Sequence, residues 1–460
     1  MNNALSDIKS SDVVSSDKSH VWHHLAQHKP MQTTDPMVIV EGKGLRVTDI
    51  NGKEYLDALS GGVWTVNVGY GRESIAKAVH DQLLKMCYFV NSAGNIPGAQ
   101  FAEKLIDKMP GMSRVYYSNS GSEANEKGFK LVRQLAALKN DGKKHKIIYR
   151  DRDYHGTTIT ALSATGQIQR RDQYGPFTPG FVEMPHCMAY RAVNGDHPDY
   201  GVQAARELER VILEQGPDTV GAVILESITA GGGVITPPEG YFETIQEICV
   251  KYGVLIHIDE VVCGMGRTGK WFGYQHYGVK PDIVTMAKGV ASGYAAISTT
   301  VTTEDLFNEF LAEPSEKMQY FRDISTFGGC AGGPVAALEN MRIIEQENLL
   351  DNARKMGDYL LDSLYELQEK YPVIGDVRGK GLFVGVEMVK DRKSKEPVSE
   401  SLTAGVVADC LQQGVMIGRT NRSFTEHNNT LCLSPALICT KGDLDEIVGA
   451  IDNALAKVAI

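Results

Sequence analysis

The chain has 460 residues, 42% hydrophobic and 23% charged, an ordinary globular composition with ample material for a large core. Its formal net charge is −10, from 47 basic and 57 acidic residues. No general attraction therefore draws it to nucleic acid or anionic membrane, and any anionic ligand must be held by local groups.

No apolar stretch approaches about 18 uninterrupted residues, so no membrane span is expected. Residues 1–18 are polar and Ser/Asp-rich, lack the apolar core of a signal peptide and read as a flexible arm. The segment Met37 to Leu59 alternates apolar and polar residues around Asn51-Gly52, the pattern of a small β hairpin or meander. From about residue 70, short apolar runs alternate with helical stretches. Strands are predicted at Arg114–Ser118, Lys146–Arg150, Ala222–Glu226, Gly253–Asp259 and Asp282–Met286, with helices at Glu123–Leu138 and Tyr241–Tyr252. Buried strands separated by helices imply an α/β architecture with a mainly parallel sheet covered on both faces. Beyond residue 335, helices are predicted at Ala336–Glu347, Leu349–Lys370 and from Asp443, with a strand-like run at Gly379–Glu387. The expected division is a large domain over 70–335 and a smaller α+β domain built from 19–69 and 336–460.

Cysteines at 87, 187, 249, 263, 330, 410, 432 and 439 show no C-x-x-C spacing, so neither a zinc site nor a redox motif is visible and no metal is expected. Reduced thiols in a cytoplasmic protein are the simplest reading.

In open α/β sheets, ligands bind at the carboxyl ends of the strands. Five polar features fall at such ends. Ser118 to Asn125 lies between a strand and a helix; its small residues and helix N-terminus suit a phosphate, and they suit an ordinary helix cap equally. Asp153-Tyr154-His155-Gly156 offers a ring for stacking or a structural pair. Glu226, before a Gly-rich loop, is either a loop anchor or a pocket acid. Asp259 ends a buried strand and needs a partner, either a protonated ring nitrogen or an Arg or Lys. Lys288 follows another apolar strand beside Gly289, where an enclosed amine can lose its charge and become a nucleophile. Together they supply what pyridoxal phosphate (PLP) requires: a phosphate cradle, a stacking surface, an acid partner for the ring nitrogen and a lysine for the aldehyde.

Along nearly its whole length, from about Val21, the chain resembles the class III aminotransferases, PLP enzymes of fold type I. The motifs that carry the resemblance are Gly62-Val-Trp-Thr-Val-Asn-Val-Gly-Tyr-Gly71, Asn119-Ser-Gly-Ser-Glu-Ala-Asn125, Tyr154-His-Gly156, Asp259-Glu-Val-Val-Cys-Gly-Met-Gly-Arg-Thr-Gly269 and Ala287-Lys-Gly289. Within that family the likeness is greatest to the taurine–pyruvate branch.

The resemblance implies a role for each matching position. Lys288 and Asp259 would be catalytic, the first carrying the cofactor and the second holding its pyridine nitrogen protonated. Ser120, Gly121 and Ser122 would bind phosphate. Tyr154, His155, Glu226 and Val261 would surround the ring. Thr326 would reach the phosphate in a neighbouring subunit, because family members are homodimers, or dimers of dimers, with shared sites. Trp64 and Tyr88 would line the substrate pocket, and Arg419 or Arg422 would bind the substrate's acid group. Where relatives read Glu-Pro-Ile, this chain has Glu226-Ser227-Ile228, which puts the loop's rigidity in question. The implied reaction passes an amino group from taurine, or a similar ω-amino acid, to pyruvate. Alternatives are β-alanine, 4-aminobutanoate or simple amines as donors, or an aminomutase or racemase reaction on the same scaffold.

Overall fold

The computed structural model describes residues 9–420 and 428–458. A meander opens the fold after the N-terminal segment: β1 (Ile39–Lys43), β2 (Arg46–Asp49) and β3 (Glu54–Asp57) pair antiparallel. The turn between β2 and β3 uses Gly52 at φ 82°, and Asp49 Oδ1 accepts the Asn51 and Lys53 amides at 2.9 and 3.0 Å.

Seven strands form the central sheet: β4 (Met112–Ser118), β5 (Lys146–Arg150), β6 (Phe181–Met184), β7 (Val220–Glu226), β8 (Leu255–Asp259), β9 (Ile283–Met286) and β10 (Ser298–Thr303). Their spatial order is β4-β10-β9-β8-β7-β5-β6. β10 runs antiparallel to both of its neighbours, and the pairs from β9 through to β6 are parallel. Every residue of β7 is buried, as a parallel strand covered on both faces requires.

Register sets the geometry of the site. Glu226 pairs with Asp259 across β7 and β8, and Asp259 pairs with Thr285 across β8 and β9. Three polar side chains thus stand in one row at the carboxyl edge. Lys288 follows just beyond β9.

The C-terminal part contributes β11 (Ile374–Gly379), β12 (Val384–Asp391), β13 (Glu396–Pro397), β14 (Val415–Met416), β15 (Gly418–Arg419) and β16 (Thr430–Leu433). β14 pairs parallel with β3, so the N-terminal meander and the C-terminal segment share one sheet. The run Gly379–Glu387, expected as one strand, is broken: β11 ends at Gly379, whose φ is 156°, and β12 begins at Val384. A Cβ on Gly381 would stand 2.5 Å from the Thr268 carbonyl carbon, so this turn packs directly on the loop that carries Thr268.

Within the expected arm, Ser10–His20 is a helix with no buried residue. Asp12 in its first turn and Lys18 and His20 in its last complement the helix dipole. Among the described residues no helix is long and apolar enough to cross a membrane.

Candidate active site

A cavity of about 440 Å³ opens at the carboxyl edge of the sheet. Its walls include Gly121, Ser122, Tyr154, His155, Glu226, Asp259, Val261, Lys288 and Trp64, nine of the positions singled out above.

The helix Gly121–Lys139 begins at this cavity. Ser120 is its N-cap and accepts the Glu123 amide at 3.2 Å, so this serine performs the ordinary capping task. Ser122 instead accepts the Thr157 amide at 3.0 Å. The approach is close: a Cβ on Gly156 would lie 2.4 Å from Ser122 Oγ, and one on Gly121 would lie 3.0 Å from Val261 Cγ2. A side chain at either glycine would press on these neighbours in the cavity wall.

Asp259 is buried, yet its carboxyl lies below the ordinary carboxylate range. Burial pushes the other way, but the hydrogen bond and charge of His155, the Val261 amide and Asn125 outweigh it. Oδ2 lies 2.8 Å from both His155 Nδ1 and Asn125 Nδ2, and Oδ1 accepts the Val261 amide at 2.9 Å. Glu226 behaves differently: burial, then Asp153 and Asp259, push its carboxyl well above the usual range. Its two oxygens accept the amides of Tyr154 at 2.8 Å and Ala230 at 3.0 Å. Glu226 is therefore both a cavity wall and the anchor joining the Tyr154 loop to the Gly-rich loop.

Ser227 answers the question raised by the missing proline. Its hydroxyl donates to Glu260, whose carboxylate also accepts the amides of Gly273 at 2.8 Å and Tyr274 at 2.7 Å. A side-chain tether stands at the position where the resemblance implied a proline.

Lys288 is half-buried at φ 41°, in the left-handed region that non-glycine residues rarely occupy. Burial lowers its amine below the ordinary lysine range; Asp259 and Glu226 oppose this, and Arg170 reinforces it. Its Nζ lies 5.3 Å from the centre of the Trp64 ring. The segment that carries Trp64 is pinned on either side of it, at Ser60 and Asn67, by the buried Arg267. Arg267 donates to Ser60 Oγ at 3.0 Å and Asn67 Oδ1 at 2.8 Å, and to the carbonyls of Leu382 and Pro435 at 3.1 and 2.5 Å.

Four predicted positions, Ser120, Thr326, Tyr88 and Arg419, do not line this cavity. Thr326 and Tyr88 are exposed, and Tyr88 bridges to Cys330 in the segment after Thr326. Arg419 lines an adjoining cavity and pairs with Glu400 at 3.0 Å. Arg422 lies outside the described residues.

The sequence reasoning missed Arg170. This residue lines both cavities, and its guanidinium sits 4.8 Å from the centre of the Tyr154 ring. Its Nε donates to Gln167 Oε1 at 3.0 Å, and Gln167 is anchored to the Arg152 carbonyl at 3.0 Å. Among the described residues it is the one guanidinium lining the Lys288 cavity. Nothing in the dipeptide Arg170-Arg171 separates it from its neighbour, which turns to Tyr149. His24 and Leu25, from the N-terminal segment, also reach the cavity.

Residues 27–455 match the family model described as aminotransferase class-III. The hypotaurine/taurine–pyruvate aminotransferase of Paracoccus denitrificans is 66% identical over 97% of both chains. The taurine–pyruvate aminotransferase of Bilophila wadsworthia is 63% identical, again over 97% of each. A crystal structure of a Bacillus anthracis aminotransferase superposes with a TM-score of 0.94 at 39% identity, covering 98% of this chain and 100% of that one. An (S)-enantioselective omega-transaminase from Thermomicrobium roseum gives 0.92 at 32% identity, covering 98% and 100%.

Proposed function

This chain belongs to the class III aminotransferases, with their fold type I architecture, and we propose that it moves the amino group of taurine to pyruvate using PLP, giving sulfoacetaldehyde and alanine. One observation carries the chemistry: the Lys288 amine and the charged Asp259 carboxylate line a single cavity beside a helix N-terminus opened by Gly121 and Gly156. The choice of donor is supported by the names of the relatives that are 66% and 63% identical.

The residues present fit the cofactor. Asp259, held charged by three donors, suits a protonated ring nitrogen. The Gly121 and Ser122 end of the cavity suits a phosphate, and Tyr154 and Val261 suit the two faces of a flat ring. Bound PLP supplies an aldehyde for amines and a ring that withdraws electrons from the adjacent carbon.

The chain's own residues do the rest. Lys288 Nζ, kept below the ordinary ammonium range by burial, would take a proton from the carbon that bears the donor's amino group and deliver it to the carbon that was the cofactor's aldehyde, so that hydrolysis can release the carbonyl product. Arg170 pairs with the donor's sulfonate, and then with the carboxylate of pyruvate, because its planar fork matches both anions. Trp64 forms the wall of the cavity beside the Lys288 amine. We assign Tyr88 and Thr326, exposed on one chain, to the site of a second copy in a homodimer. Residues 19–69 and 336–460 then form the small domain beside the large one at 70–335, in a cytoplasmic enzyme whose eight cysteines are all free.

Coupled alanine formation from pyruvate, screened over taurine, β-alanine, 4-aminobutanoate and 1-phenylethylamine, tests the proposal. Taurine should give the highest kcat/KM. An inert taurine beside an active amine would replace the donor while leaving the chemistry intact.

A further inference from the structure

We propose that His257 and Thr285 are positioning residues that act through the Asn125 amide to hold Asp259 toward the ring nitrogen of the cofactor. This inference rests on the function proposed above.

Valence fixes the direction of each hydrogen bond. Asn125 Nδ2 lies 2.8 Å from Asp259 Oδ2 and 2.7 Å from the His155 carbonyl. Both are acceptors, so the NH₂ end of the amide must face them, and its oxygen must face away. That oxygen lies 2.6 Å from Thr285 Oγ1, which has one proton and must donate it there. The threonine oxygen can then only accept from its remaining neighbour, His257 Nε2, at 3.2 Å. His257 must therefore carry its proton on Nε2, leaving Nδ1 bare. Nδ1 is indeed a buried nitrogen with no partner among the described residues. Burial also pushes this imidazole down to about 3, so it is neutral, as the chain of donors requires.

The arrangement is directed from end to end: His257 to Thr285, Thr285 to Asn125, Asn125 to Asp259. Space is reserved for it. A Cβ on Gly128, inside the helix Gly121–Lys139, would lie 2.5 Å from His257 Cε1, so the helix carries a glycine where the imidazole passes. Asn125 sits in that same helix, one turn beyond the phosphate end of the cavity. The relay thus ties the helix that would hold the phosphate to the strands that would hold the ring nitrogen.

Two measurements test the proposal. The ¹⁵N spectrum of histidine-labelled protein, with and without cofactor, should show His257 protonated at Nε2 and bare at Nδ1 from pH 6 to pH 9. Thr285→Val keeps the shape and removes the hydroxyl. It should weaken PLP binding and lower kcat about tenfold, with the KM for taurine within about twofold. Thr285→Ser should restore both. A proton on Nδ1, a titrating His257, or a Thr285→Val protein that binds PLP and turns over like wild type would overturn the inference. Should Thr285→Val fail to fold, the tautomer in wild-type protein decides. Wild-type protein that binds no PLP would sink the proposed function instead, and the cofactor-free spectrum would still report on the relay.

Discussion

The imidazole Nδ1 of His155 lies 2.8 Å from Oδ2 of Asp259, and both side chains are buried. A lone carboxyl at this depth would rise out of the carboxylate range; this one is lowered because its donors outweigh burial. Removing the charge while keeping the shape, in Asp259→Asn, should cut kcat by on the order of 10²–10³-fold with the fold intact. Near-normal turnover by that variant would show that Asp259 has no electrostatic role.

The same pair makes a stability prediction. A depressed carboxyl contributes stability that is present above its unfolded value and lost as pH falls through the folded one. His155→Leu removes the hydrogen bond and charge that most favour the ionised carboxylate, so Asp259 should protonate sooner on acidification. Acid titration of cofactor-free protein, followed by circular dichroism, should show the unfolding midpoint moved to higher pH.

The role proposed for Arg170 predicts that it separates charged donors from neutral ones. Arg170→Met should raise the KM for taurine roughly 10- to 100-fold, as expected when one partner of a charge-assisted pair is lost. The kcat/KM for 1-phenylethylamine, which has no acid group, should hold or improve. Equal losses for both donors would mean that Arg170 acts on the Tyr154 ring rather than on the substrate anion.

Glu260 predicts the opposite pH sign from Asp259. Burial pushes its carboxyl up to about 7, against the pull of Ser227 and the Gly273 and Tyr274 amides. The folded state keeps a proton there that the unfolded state has released, so stability from this group is present at low pH and is lost as pH rises toward 7. Chemical denaturation from pH 5 to 8 should show a downward slope that flattens in Glu260→Gln, by roughly 3 kcal/mol at most.

Gly128→Ala inverts a common expectation. Alanine in a helix interior normally gains about 1 kcal/mol over glycine. Here its Cβ would meet His257, so thermal unfolding should show a loss. Adding His257→Ala should recover part of it, and simple additivity of the two changes would refute the contact.

Much of this site is legible in the sequence because its parts are local: an apolar strand, then a polar residue where the strand ends. Glu226, Asp259 and Lys288 are found that way, and register then places Glu226, Asp259 and Thr285 in one row. β10 was missed because Ser298–Thr303 is almost all serine and threonine, yet nearly every residue is buried. Of its buried hydroxyls, Thr300 donates to the Ala124 carbonyl at 2.8 Å, whereas those of Ser298 and Thr299 have no partner among the described residues. Arg170 and the His257–Thr285–Asn125 relay depend on contacts between distant segments, for which no period or spacing exists. The Ser227 tether shows the converse: a departure from the family motif stands out in the sequence, but its compensation by Glu260 does not.

The central claim is that Lys288 carries the cofactor. Borohydride reduction of PLP-loaded protein, followed by proteolysis and mass mapping, measures this directly. One stable phosphopyridoxyl adduct is expected, on the peptide containing Lys288, and none in Lys288→Ala. An adduct on another lysine, or none from protein that turns over taurine and pyruvate, would contradict it.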